Sequence, residues 1–277
     1  MTDVQLQYCK KCLNRKSGTI TQENNCNLKG INLEFEGICT SFDLDDKVLI
    51  SNETRIGEIR PNGRRAYIAQ SLIWVIMGLD IISVYSSYLQ YNLLSGVQNS
   101  EEITDSMLTI NDVRELLLSI VYLVVFIISG ITFIKWFRRA YYNLSRITSC
   151  EYSEEWASWT WFIPIINLFR PYQIMKEMDK KTIAFLGSKN LNSTENNSQL
   201  IGLWWGLWVV SNYIGNYIFK VSFKDDTIEN LMNSTIADII LSLIGIPLAI
   251  ITVKVIKSYA LKEEKLFEIR RKSQLEE

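Results

Sequence analysis

The sequence predicts an all-α membrane protein: a four-helix transmembrane bundle, a cytoplasmic re-entrant or interfacial segment, and a small zinc-ribbon-like N-terminal domain. Three observations predict it. Long apolar runs alternate with short charged loops, although the 277 residues average 48% apolar and 21% charged. Eight tryptophans and thirteen tyrosines suit a chain that meets lipid headgroups. The polar first stretch holds Cys9, Cys12, Cys26 and Cys39, four of the five cysteines. The expected domains are a head over 1–58, a transmembrane domain over 64–259 and a charged tail over 260–277.

In the head, the C-x2-C pair Cys9 and Cys12 has the spacing that lets two thiolates grip one tetrahedral ion. Cys26 and Cys39 follow singly, which departs from the paired pattern. A head of this size needs a staple to fold alone, and cytosolic disulfides rarely persist. Structural zinc on the four thiolates is therefore the expectation, with ordinary reduced thiols as the alternative. Lys10, Lys11, Arg15 and Lys16 crowd this loop and form the candidate ligand site, for a nucleotide or short oligonucleotide. Acids such as Asp43, Asp45 and Asp46 nearly balance them, so a solvated face is the alternative.

A membrane span needs about 20 mostly apolar residues. Runs near 66–94, 116–136 and 236–256 meet this, and "LIGLWWGLWVVSNYIGNYIF" over 200–219 adds a Trp-, Gly- and Asn-rich fourth. Lys and Arg orient them, because basic loops stay in the cytoplasm. Arg60, Arg64 and Arg65 precede the first span, Lys135, Arg138, Arg139 and Arg146 mark the end of the second, and the tail is basic. The loop over 95–115 is acidic. Both termini are therefore expected in the cytoplasm, with no cleavable signal peptide and an even number of crossings.

Parity constrains "WASWTWFIPIINLFRPYQIM", within 156–178. A full crossing there would put the basic tail outside. Pro164 and Pro171 break it, and Arg170 leads into a charged run. It is expected to dip into the cytoplasmic leaflet or lie along it, packed on the bundle, either as an amphipathic connector or as a functional re-entrant element.

Within the spans, Asp80 is expensive to bury unless paired or wet. Ser83, Ser87 and Tyr91 follow it at helical spacing on one face. Either this face lines an aqueous path in an oligomer, or Asp80 pairs with Lys135 or Arg170 inside one protomer. Asn212 and Asn216 form a second polar face, for which hydrogen bonds between helices are the ordinary use. Gly245 and Pro247 mark a kink in the last span. Cys150 is left over as a free thiol. The tail carries only a weak stripe of Leu261, Leu266 and Ile269 and is expected to continue the last helix.

The strings "WFRRAYYNL" (Trp136, Arg139, Ala140, Asn143, Leu144) and "WTWFIPIINLFRPY" (Trp159, Trp161, Phe162, Pro164, Asn167, Leu168, Arg170, Pro171, Tyr172), with Trp156 and "GLWWGLWVVSN" over 202–212, resemble a bacterial multi-pass membrane family known only as a domain of unknown function. The resemblance covers roughly 64–259. It implies about four spans and no enzymatic activity. The head loosely resembles small cysteine-bearing modules through "CKKCLNRK" and "FEGIC".

Histidine is absent, which excludes Ser–His and Cys–His catalysis within this chain. No P-loop, H-E-x-x-H or G-x-S-x-G string occurs. The sequence thus points away from an enzyme. The leading expectation is an ion-conducting pore gated by a cytoplasmic ligand on the head. Four spans enclose no private path, so it would be a homo-oligomer, with a tetramer as the guess. By analogy alone it would serve as an immune effector in antiviral defence, beside an operon-encoded partner enzyme that makes the signal. The other expectation is a non-conducting membrane anchor or sensor that recruits a protein partner.

Overall fold

The computed structural model describes residues 12–13, 59–189, 197–221, 223 and 227–276. The chain divides into two compact units, Met1–Gly57 and Glu58–Glu277. In the first unit, Cys9, Cys26, Cys39, Lys10, Lys11, Arg15 and Lys16 lie outside the described residues, and Cys12 is buried.

The second unit is helical throughout its ordered elements: α1 Gly63–Gln98, α2 Asp105–Ser145, the one-turn α3 Trp156–Trp159, a 3-10 turn at Ile166–Leu168, α4 Arg170–Ser188, α5 Ser198–Val221 and α6 Ile228–Glu276. Among the described residues, three helices are long and apolar enough to cross a membrane: α1, α2 and the Ile228–Ile269 part of α6. The run over 200–219 forms α5, a helix of 24 residues that is not one of those three. Tryptophan, tyrosine, asparagine and glycine dilute its apolarity.

The ends of α1 and α2 are tied at both levels. At one end Asn62, just before α1, donates through Nδ2 to Trp136 O (3.3 Å) and to Glu263 Oε2 (3.0 Å). At the other, Arg114 Nε donates to Ser86 Oγ (2.9 Å), and its Nη2 donates to Ser86 O (3.1 Å) and Asn111 Oδ1 (2.7 Å). So α1 runs antiparallel to α2 and to α6. The outward faces of α1 and α2 are apolar, with Trp74, Ile81, Leu123 and Phe126 among the exposed side chains. A soluble domain would bury such faces; lipid makes them free of cost.

The core sits toward the Asn62 end. Trp136, Phe137, Ala140, Tyr141 and Leu144 of α2 are fully buried with Ile174 and Met178 of α4 and Ile256 of α6. An aromatic stack joins three elements. Trp161 meets Phe133 edge-on at 5.4 Å and Trp208 at 5.8 Å, and Trp205 stacks on Trp208 at 4.5 Å. Such pairs add about 0.5–1.5 kcal/mol each beyond burial.

The proline-broken segment is no single helix. After α3 the chain turns at Pro164 and Ile165, whose φ of 68° is left-handed backbone that β-branched residues rarely adopt. Pro171 then sits in the first turn of α4, where its missing N–H costs nothing. Trp205 Nε1 donates to Leu168 O (3.0 Å), so the broken backbone is satisfied by the bundle. In α6, Pro247 lies inside a helix of 49 residues that continues to Glu276. At about 1.5 Å per residue this exceeds the roughly 30 Å hydrocarbon core more than twofold, so its last turns project beyond the membrane.

Candidate functional site

Two buried polar sites stand out: one at mid-helix depth, one at the Asn62 end. The first is built around Asp80, which is 1% exposed. Tyr122 Oη of α2 donates to Asp80 Oδ1 at 2.9 Å. From α6, Gly245 approaches so closely that a Cβ there would lie 2.5 Å from Asp80 Oδ2. Oδ2 itself is buried without a hydrogen-bond partner among the described residues. Three helices thus enclose one carboxyl group.

Neither Lys135 nor Arg170 is that partner. Arg65 Nη1 donates to Lys135 O (3.1 Å), which places Lys135 beside the first turn of α1, roughly 22 Å along the helix from Asp80. Arg170 lies over the Tyr152 ring at 4.5 Å and bonds Gln173 Oε1 at 3.1 Å. Ser87 is buried and Ser83 half-buried. Asn212 Nδ2 donates to Trp208 O and Asn216 Nδ2 to Asn212 O, both at 2.8 Å. These amides bond back into their own helix rather than across to another, which satisfies the donors without a neighbour.

The second site closes the bundle at its other polar level. Lys262 of α6 forms an ion pair with Asp179 of α4, and both residues are 4% exposed. Asn197 N reaches Asp179 Oδ2 (3.4 Å), and Asn197 Nδ2 donates to Ser258 Oγ, so the start of α5 is tied to the same level. One residue on, Glu263 accepts from Asn62 and Asn143. Glu177, also buried, accepts from Tyr141 Oη (2.9 Å), Glu151 N (2.7 Å) and Lys181 Nζ (2.6 Å). Burial disfavours the Lys181 ammonium, but the Glu177 carboxylate outweighs it and raises its pKa. Burial, then Glu177, pushes the nearby Cys150 thiol up to about 11, which favours the protonated form at neutral pH.

The sequence singles out Asp80 but hides its partners. Tyr122 reads as one aromatic in an apolar run, and Gly245 reads as a kink. Asp179 and Lys262 look like members of solvated charge runs. Asn143 reads only as one letter of "WFRRAYYNL"; its buried bonds to Arg60 and Glu263 give that string a physical reason.

This arrangement offers no nucleophile–base pair among the described residues. It offers an internally tied bundle that buries several carboxyls, of which Asp80 lies at mid-helix depth. No curated protein and no solved structure matches the chain. Residues 99–260, more than half of the chain, match a family model described as "Domain of unknown function (DUF4328)", and the chain belongs to that family.

Proposed function

We propose that this chain crosses the bacterial inner membrane four times and works as a non-conducting anchor and sensor, presenting its four-cysteine head to the cytoplasm for a protein partner. The carrying observation is the seat of Asp80. Its enclosure by Tyr122 and Gly245 within one protomer supports a role in tying helices together over one in lining a path between protomers.

Helix direction supports the fourth crossing. Trp136 of α2 and Glu263 of α6 meet the same residue, Asn62, which favours a return of the chain between the two helices. Helix α5 starts at that level, beside Ser258, and is the return. At about 36 Å it is long enough to cross. The basic residues at this end orient it to the cytoplasm. The segment over 156–178 lies in the cytoplasmic leaflet, supported by Trp159, Phe162 and Ile165, which are 62%, 66% and 74% exposed.

Liposomes bearing the protein are expected to remain tight to ions with or without nucleotides. Asp80→Asn should lower the unfolding temperature without creating a leak. Ligand-dependent ion flux would sink this reading.

Flux would favour a second one, an oligomeric pore gated by a nucleotide or oligonucleotide at Lys10, Lys11, Arg15 and Lys16, made by an operon-encoded enzyme. Its specific support is α5, where Asn216 is exposed beside Tyr213 and Tyr217. A polar outward face on a crossing helix suits a path between protomers. Under that reading Asn216→Leu alters conductance and Asp80→Asn does not.

In both readings Cys9, Cys12, Cys26 and Cys39 hold one structural zinc. Elemental analysis of the purified protein is expected to give one zinc per chain, lost on replacing Cys9 and Cys12 by serine. Zinc-free protein with a folded head would end the zinc proposal.

A further inference from the structure

Three guanidinium groups surround one tyrosine ring at the Asn62 end. The Cζ atoms of Arg60, Arg139 and Arg146 lie 4.8, 5.9 and 4.5 Å from the centroid of Tyr142. Arg65 and Arg60 are close enough to repel the charge on Arg139. Ring faces hold cations by about 0.5–1 kcal/mol each at exposed sites. That attraction does not cancel the charge.

Among the described residues, little else cancels it. Glu154 stands 3.8 Å from Arg146 and equally far from Arg138, so it is shared and at the edge of contact. Glu263 is near Arg139 but is buried and occupied by Asn62 and Asn143. Arg146 Nε is buried with no acceptor among the described residues.

The backbone that carries Arg60 is anchored to α2. Asn143 clamps the Arg60 backbone from both sides, accepting from its N–H and donating to its C=O, each at 2.9 Å. Arg65 is fixed to Lys135 O. Planar donors gathered with excess charge suit a phosphate, because a guanidinium fork matches two phosphate oxygens.

We propose that Arg60, Arg139 and Arg146, arranged around Tyr142, form a binding site for a phosphate group. Its nearest source is an anionic lipid headgroup, since Trp156 and Trp159, partly and largely exposed, lie just beyond Glu154 at the same end of the bundle. A soluble phosphate compound is the other source of the same chemistry. The site stands whether or not the bundle conducts.

The test uses the full chain in lipid nanodiscs. Native mass spectrometry reads phosphatidylglycerol retained after release from discs equimolar in phosphatidylcholine and phosphatidylglycerol. Inorganic pyrophosphate is titrated separately against protein in pure phosphatidylcholine discs. The wild type is expected to retain phosphatidylglycerol selectively. Arg60→Gln with Arg146→Gln should weaken retention roughly twenty-five-fold, at about fivefold per guanidinium. Arg146→Lys, which keeps the charge but loses the fork, covers the case of a double variant that does not fold, and should lose several-fold. Pyrophosphate binding without lipid retention, removed by the same variants, keeps the phosphate site and assigns it a soluble ligand. A wild type with no preference for either probe, or a folded double variant with unchanged affinity for both, overturns the proposal.

Discussion

Replacing Lys262 with methionine is expected to destabilise the bundle by about 3–5 kcal/mol. The cause is the charge left behind. Asp179 sits 4% exposed at the packing of α4 on α6, and Lys262 is its ion-pair partner. Among the described residues, removing the ammonium leaves a buried carboxylate with a long contact to Asn197 N. Replacing both residues, Lys262→Met with Asp179→Leu, should recover most of the loss, because two charges then no longer have to leave water. Unfolding in mixed detergent micelles, followed by circular dichroism, measures both. If the single variant unfolds like the wild type, the pair is not a lock. If the double variant is as weak as the single, packing rather than charge holds this end.

Replacing Gly245 with valine is expected to cost about 1–3 kcal/mol, the usual range for overpacking a tight contact. The first added carbon would meet Asp80 Oδ2 at 2.5 Å and Cγ at 2.8 Å. Asp80 has little room to yield, since Tyr122 Oη holds its other oxygen. Either α6 moves off α1 or that hydrogen bond breaks. Asp80→Ala should rescue Gly245→Val in part, giving a coupling well above the few tenths of a kcal/mol seen for independent sites. Strict additivity in this double-mutant cycle would show that Asp80 and Gly245 do not touch. The cycle also bears on function, because an Asp80 facing an oligomer axis would not couple to Gly245.

Much of the architecture is legible without coordinates. The apolar runs near 66–94, 116–136 and 236–256 form α1, α2 and α6, because a helix in lipid must satisfy its own backbone and needs length and apolarity above all. Pro164 and Pro171 mark where the apolar run within 156–178 breaks, and the chain turns at both places. The run that forms α5 is harder to read. Its tryptophans pack on Trp161 and its asparagines bond back into the helix, so its character depends on its neighbours rather than on mean apolarity.

The polar sites are mostly illegible. Asp179 and Lys262 are 83 residues apart, as are Arg60 and Asn143. Each looks like an ordinary surface charge or amide in its own segment. No local pattern says which of several charged residues will turn inward, since that depends on which helix faces meet. Asp80 is the exception in part: a lone acid in an apolar run announces a partner but does not name it.

By itself, then, the amino-acid order determined three long apolar helices, where proline breaks the run between them and which end carries the positive charge. Those properties are set within each segment by periodicity, proline and solvation. Only the tertiary structure decided who pairs with whom: Asp80 with Tyr122 against Gly245, Lys262 with Asp179, and three arginines on Tyr142. Such contacts join residues far apart in the chain, and their free energy exists only once the helices have packed.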